Sequence, residues 1–453
     1  MTVTNEPKVR RDRNREPSAQ VPLGQLLAYA LPAIPLAALT LPLYVLVPTF
    51  YTETLGLPLA SVGFALLIVR LFDAVNDPVI GWAGDRFRPS TGRRRTLFAL
   101  GLPLTAIAAF MLFAPPVDAT PLWIIGWGLL LSLGYTMALI PFSAWGAELA
   151  DDYHGRARLA AWREGFTLAG TLLAIALPFS IGFANPEGWH GLAVMGLMIA
   201  LLLPLFGLVT IVAVPEPIER SRSRVTLLEG LGHLVRNKPF LRLIAAFFLN
   251  GVANGIPATL FLYFVSDRLG APEARGPLLF LYFLCGLVGV PLATWTARRL
   301  GKHRAWCLAM LAACVAFAPA PLLPEGGVIG FALICVVTGL LLGFDLALPP
   351  AIQADVIDVD TAASGEQRSG VYFAAWSLAT KLALAAGVGI VFPVISIFGF
   401  TPGSGSGGTG LFALAVAYAW APIAAKLAAV ALMWNFPLDE ARQIALRAEI
   451  DAR

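Results

Sequence analysis

Long apolar runs separated by short polar or Pro/Gly breaks recur twelve times along the chain, near 23–50, 58–84, 95–114, 121–146, 158–182, 190–213, 239–265, 275–297, 303–321, 327–351, 370–396 and 410–434. Each is about as long as the ~20 mostly apolar residues a helix needs to cross a bilayer. Runs such as 122–133 and 191–214 are continuous rather than alternating, which excludes the short two-faced strands of an outer-membrane barrel. The one long polar interruption, 215–238, falls after the sixth run and carries Arg220, Arg222, Arg224, Arg236 and Lys238. The pattern therefore predicts an all-α polytopic membrane protein. Its expected parts are a basic tail (1–22), a six-helix bundle (23–214), a linker (215–238), a second six-helix bundle (239–436) and a closing tail (437–453). Two such halves rocking about a midplane site form a transporter architecture.

Composition agrees, because 58% of the 453 residues are hydrophobic and 13% are charged, against roughly 25% charged in a soluble domain. A soluble enzyme is excluded on that ground. An intramembrane enzyme has no support either, since His-Glu-x-x-His, Gly-x-Ser-x-Gly and paired catalytic cysteines are all missing. Of the 32 Lys/Arg, 26 fall on the side of the termini and linker, four inside crossings (Arg70, Arg163, Lys381, Lys426) and two opposite (Arg268, Arg275). This bias predicts cytoplasmic termini and sets nucleic acid aside as a partner. The first twenty residues read as a basic tail, not as a cleavable leader. Cys285, Cys307, Cys314 and Cys335 sit in apolar runs without metal-ligand spacing, and the Gly-rich stretch 401–410 lacks a phosphate-loop lysine. No cofactor is expected, and the chain is expected to act as a monomer among membrane lipids on a small-molecule substrate.

A charge at the bilayer midplane costs at least ~2.5–3.5 kcal/mol, so the few present point to function. The second crossing carries Arg70, Asp73, Asn76 and Asp77 on one helical face, followed by Pro78. Two carboxylates and an amide oxygen can hold a small cation, or one carboxylate can carry a proton. Arg70 cannot balance both acids.

Asp73-Ala-Val-Asn76-Asp77-Pro78-Val-Ile-Gly81, then Gly84-Asp85-Arg86 and Gly92-Arg93-Arg94-Arg95, resembles the glycoside-pentoside-hexuronide:cation symporter family of the major facilitator superfamily. The resemblance continues through Tyr135-Thr136 to Pro141-Phe142, Arg163, Ala354-Asp355-Val-Ile-Asp358, Arg368 and Lys381. It implies the major facilitator fold in a bacterial inner membrane, and cation-coupled symport of a sugar or glycoside-like solute by alternating access. It further implies a cation site at Asp73, Asn76, Asp77 and Thr136 that takes Na⁺, with Li⁺ or H⁺ as alternatives. The residues themselves do not choose among these ions.

The sugar side departs from the family. Leu36, Ala37, Leu139 and Ser143 stand where a sugar-binding member carries lysine, two aspartates and tryptophan. Leaving substrate hydroxyls unpaired costs about 1–3 kcal/mol each. Arg163 matches a sugar-pocket arginine, and Lys381 lies ~16 Å into the eleventh crossing at 1.5 Å per residue. An apolar pocket with one or two cations suits an amphipathic anion, so a lysophospholipid transporter or flippase is the alternative reading. Lys381 and Arg163 are candidate substrate residues with competing roles open: a gating pair of Lys381 with Asp73, Asp77 or Asp345, and a pair of Arg163 with Glu164 or Glu148. Asn250 and Asn254, at i and i+4 on the seventh crossing, either face the cavity or bond between helices. The expected gating residues are Arg70, Asp85, Arg86, Arg93, Asp355, Asp358 and Arg368, while in the second half 295–304 keeps only basic residues. Trp145, Trp162 and Trp376 are expected as interfacial anchors.

Overall fold

The computed structural model describes residues 22–86, 92–149, 153–182, 190–216, 234–364, 369–403 and 407–438, together with 442, 445 and 446. The expected tail 1–22 falls almost wholly outside these residues, as do most of the linker and of the closing tail. Twelve helical segments are long and apolar enough to cross a membrane: α1 (Leu23–Thr54), α2 (Leu59–Gly81), α3 (Arg94–Phe113), α4 (Pro121–Gly146), α5 (Trp162–Ile181), α6 (Gly191–Ala213), α7 (Lys238–Arg268), α8 (Pro272–Leu300), α9 (Lys302–Leu322), α10 (Val328–Asp360), α11 (Tyr372–Ile397) and α12 (Gly408–Met433). No strand occurs among the described residues.

Burial is inverted relative to a soluble protein. Phe64, Leu201, Val212 and Val315 lie exposed, while Arg70, Asp73, Asn76, Asn250, Gln353 and Lys426 are buried. Apolar groups face lipid, and the polar groups that lipid cannot solvate turn inward.

The two halves repeat one another. α1 ends in a single π-helical turn, Phe50–Thr54, and α7 in another, Phe264–Arg268. Each closes on a left-handed glycine, Gly56 (φ +68°) and Gly270 (φ +66°). The closing bonds match: Leu57 N–H donates to Tyr51 O at 3.0 Å, and Ala271 N–H to Val265 O at 3.1 Å. α3 and α9 likewise start after left-handed glycines, Gly92 and Gly301.

The face bearing the linker and the opposite, hairpin face differ in how the halves meet. One apolar core runs through the first half and, at the hairpin end, merges with Tyr263, Phe264, Phe392 and Tyr418 of the second. A separate core built on Phe240, Trp306, Val356 and Tyr372 stays within the linker end of the second half. The hairpin face also carries polar clasps between halves. Arg275 Nη2 sits 2.6 Å from Glu53 Oε1, and the Thr52 and Tyr263 hydroxyls lie 2.7 Å apart.

The crossing read near 327–351 is part of a longer helix: the apolar span α10 runs through Pro349 and Pro350 to Asp360, and helical backbone continues to Ser364. The extra turns are held sideways: Asn237 Nδ2 donates to Val356 O at 3.2 Å, and Gln353 Nε2 to Tyr372 O at 3.1 Å. Neighbouring elements thus support the last turns of this helix.

Candidate cation seat and central cavity

The α2 face packs against α4 and α11, and its polar groups close into one network. Ser132 Oγ donates to Asp73 Oδ1 at 2.6 Å, and Thr136 Oγ1 donates to Asp77 Oδ1 at 2.8 Å. Asn76 Nδ2 reaches Ser132 O at 3.4 Å. The other carboxylate oxygens turn to Lys381 of the second half, whose Nζ lies 3.0 Å from Asp73 Oδ2 and 2.5 Å from Asp77 Oδ2. Nζ also donates to the Asp73 carbonyl at 3.2 Å. Arg70 completes the set with Nη1 3.8 Å from Asp73 Oδ2 and its guanidinium 3.8 Å over the Tyr44 ring. Two cations and two carboxylates balance in a site where Asp73, Asn76 and Thr136 are buried. The structure thus brings the four expected cation residues together and places Lys381 between the carboxylates, in the geometry of the gating pair.

Beside the seat, a cavity of about 470 Å³ lies between the halves, lined by α1, α4, α5, α7, α8 and α11. Leu36, Ala37, Leu139 and Phe142 are among its apolar wall, and its polar points are Thr40, Tyr44, Tyr135, Ser143, Thr167, Thr171 and Thr259 with the Arg163 and Glu164 pair. Arg163 Nη2 holds Glu164 Oε1 at 2.7 Å. The cavity therefore carries a cation that already has an acidic neighbour.

Asn250 and Asn254 go elsewhere. Their Nδ2 groups donate to Asp345 at 3.0 and 2.9 Å, and their Oδ1 atoms accept from Lys426 Nζ at 2.7 and 2.8 Å. Trp306 Nε1 adds a bond to Asp345 Oδ1 at 2.6 Å. Four helices of the second half are tied by this charge-balanced knot, and the ammonium and carboxylate it contains are satisfied within it. Of the knot, Asn254 and Lys426 also reach a small, mainly apolar cavity lined by the second half and by Val45 of α1.

Among the expected gating residues, Asp355 takes Lys302 Nζ at 2.8 and 2.6 Å, joining α10 to α9 within one half. Asp358 lies one turn further along the same helix. The side chains of Asp85, Arg86 and Arg93, and all of Arg368, lie outside the described residues. Trp145 is not an interfacial anchor: it is fully buried, and its Nε1 donates to Pro215 O at 2.8 Å, pinning the start of the linker. Trp376 stacks on Phe247 at 3.7 Å, whereas Trp162 is exposed.

Sequence reasoning missed Ser132, Glu53, Glu216 and Trp306. Ser132 was findable, since it precedes Thr136 by four residues and so shares its helix face. Glu216 accepts the backbone N–H of Arg94 at 2.8 Å and of Arg95 at 3.2 Å, a contact across 122 and 121 positions that no local pattern announces.

Residues 28–440 match the family described as MFS/sugar transport protein. The isoprimeverose transporter of Lactiplantibacillus pentosus is 23% identical over 85% of this chain and 82% of its own. The sphingosine-1-phosphate transporter MFSD2B of Mus musculus is 24% identical over 75% and 74%. Among solved structures, the nucleoside transporter NupG superposes with a TM-score of 0.68 at 14% identity, covering 92% of this chain and 100% of that one.

Proposed function

The chain belongs to the MFS/sugar transport protein family, and on that premise we propose that this membrane transporter is a cation-coupled symporter whose ion seat is Asp73, Asn76, Asp77 and Thr136, joined by Ser132. The observation that carries this reading is Lys381. Its ammonium, arriving from the second half, occupies the place between two carboxylates of the first half that a small cation would take. An entering Na⁺ or H⁺ displaces it and so dissolves an ionic tie between the halves. Ion binding is thereby coupled to rocking. Freed Lys381 is then available to the neighbouring cavity.

The substrate is a small organic solute bound between the halves, sugar or glycoside-like by family. A second reading, an amphipathic anion such as a single-chain phospholipid, is favoured by the largely apolar cavity with Arg163 at its edge. The charge bias supports a linker face in the cytoplasm of a bacterial cell. With that orientation the hairpin-face clasps support reading this as the cytoplasm-facing state, of a carrier that works as a monomer.

One positive charge moved through 100 mV contributes ~2.3 kcal/mol. At 1.4 kcal/mol per decade that supports roughly 40–50-fold accumulation of a neutral solute. The test uses proteoliposomes under an imposed Na⁺ or H⁺ gradient, with radiolabelled isoprimeverose or sphingosine 1-phosphate as probe. The transported probe accumulates in wild type, and Asp77→Asn loses accumulation while keeping energy-independent exchange. Full gradient-driven accumulation in Asp77→Asn overturns the seat.

A further inference from the structure

The turn joining α8 to α9 pivots on Gly301 and carries Arg298, Arg299, Lys302, His303 and Arg304. A cavity of about 590 Å³ opens between this turn and the linker end of α10, floored by Ala347, Leu348 and Ala351. Its one described acidic lining residue, Asp355, is engaged by Lys302 through both oxygens. Arg298, Arg299 and Arg304 remain as exposed cations around the concavity. The Arg299 guanidinium sits 4.3 Å over the Trp295 ring. Trp295 is 53% exposed, as Leu292 and Leu300 also are in large part. An exposed tryptophan under an arginine, next to exposed leucines, marks the level where lipid tails give way to head groups.

The first half fills the corresponding place with its own carboxylate. α3 also begins behind a left-handed glycine, and Glu216, from the segment after α6, accepts the N–H groups of Arg94 and Arg95. In the second half, the segment after α12 brings Leu438 to the cavity wall. An orientation signal requires basic residues only as a count; here they surround a concave space.

We propose that this pocket binds the phosphate of an anionic phospholipid head group. Guanidinium groups match phosphate oxygens two at a time, and basic pockets between helices at the membrane surface suit such head groups. The acyl chains lie along the exposed Val288 and Leu292 face of α8. A lipid rather than a free anion is the occupant because Arg299, which lines the cavity, also lies over Trp295 on the exposed apolar stripe of α8.

The test measures lipid retained by full-length purified protein after exchange between detergent micelles containing phosphatidylglycerol or phosphatidylcholine. Wild type retains phosphatidylglycerol in preference. The double variant Arg299→Ala/Arg304→Ala, made at exposed positions, binds it about 30-fold more weakly, or about 2 kcal/mol at 1.4 kcal/mol per decade. Arg304→Ala alone gives a smaller loss, and Arg299→Lys/Arg304→Lys keeps much of the binding. Melting curves without added lipid verify that the variants fold. Four results overturn the proposal: equal phosphatidylglycerol affinity in wild type and the double alanine variant; no preference over phosphatidylcholine; full displacement by millimolar inorganic phosphate, which assigns the pocket to a free anion; or binding that appears only after residues 439–453 are removed, which assigns it to the chain's own tail.

Discussion

Replacing Lys381 with alanine empties the place between Asp73 and Asp77. At an effective dielectric of about 20, two unit charges 3.0 Å apart attract by about 5.5 kcal/mol, most of it offset by desolvation. Breaking a buried pair by removing one partner typically costs about 3–5 kcal/mol. In Lys381→Ala the four-charge balance becomes one net negative, and an added cation no longer competes with a tethered ammonium. Taken at the lower figure of 3 kcal/mol, the gain in cation affinity is about 100-fold. Water entering the vacated space takes part of that back, so at least a tenfold gain is expected. The assay is thermal unfolding of purified protein across a Na⁺ titration at constant ionic strength. The variant melts lower than wild type without Na⁺, and half-maximal stabilisation shifts to lower Na⁺, because a ligand that binds the folded state raises its melting point. An unchanged Na⁺ midpoint refutes the claim that Lys381 holds the seat against the ion.

The hairpin clasp predicts that Glu53→Gln shifts the molecule toward the state open on that face, by up to about 100-fold in population for a loss of 3 kcal/mol. In a chain with its four cysteines replaced, Thr171→Cys then reacts faster with a membrane-impermeant thiol reagent from the hairpin side; an unchanged rate counts against the clasp. Gly289 faces the α10 backbone at Leu340, so Gly289→Val overpacks the α8–α10 crossing at a cost of about 1–3 kcal/mol. A melting temperature equal to wild type would contradict that crossing. His190, outside the crossings, caps α6 by accepting from Ala193 N–H at 3.2 Å and stacks on Phe50, and burial holds its pKa below the ordinary value. Because only the neutral ring accepts, this contribution is full above about pH 6.5 and is lost as the pH falls through the lower folded-state value. Wild type should lose up to about 1 °C more than His190→Asn between pH 7.5 and 5.5, taking a cap as about 1 kcal/mol and the unfolding entropy as roughly 2.1 cal/mol/K per residue; equal slopes would remove His190 from the account.

The sequence shows the architecture because a bilayer imposes one length and one composition on every crossing, so each apolar run from α1 to α12 announces itself. The α2 face was legible for a related reason: Arg70, Asp73, Asn76 and Asp77 are costly in lipid, and helical spacing puts them together. Their partners were less so. Lys381 meets Asp73 across 308 positions, and whether its ammonium faces the cavity or the carboxylates depends on how two separate bundles dock. Asn250 and Asn254 stayed open between a cavity role and an interhelical bond because Asp345 and Lys426 each lie alone in an apolar run, and only the packing of α7, α10 and α12 makes them one knot. The length of α10 was hidden because its last turns interleave Asp355, Asp358 and Asp360 with the buried Val356 and Ile357, and the side-chain bonds from Asn237 and Gln353 that support them come from packing against α7 and α11.

Equilibrium binding of radioactive Na⁺ to the purified chain, measured for wild type and for Asp73→Asn/Asp77→Asn at two pH values, tests the central claim most directly. With Na⁺ as the coupling ion the account predicts one saturable Na⁺ per chain in wild type, weakened at low pH as H⁺ competes, and none in the double variant. Stoichiometric Na⁺ binding that survives loss of both carboxylates would place the coupling ion elsewhere and contradict the account.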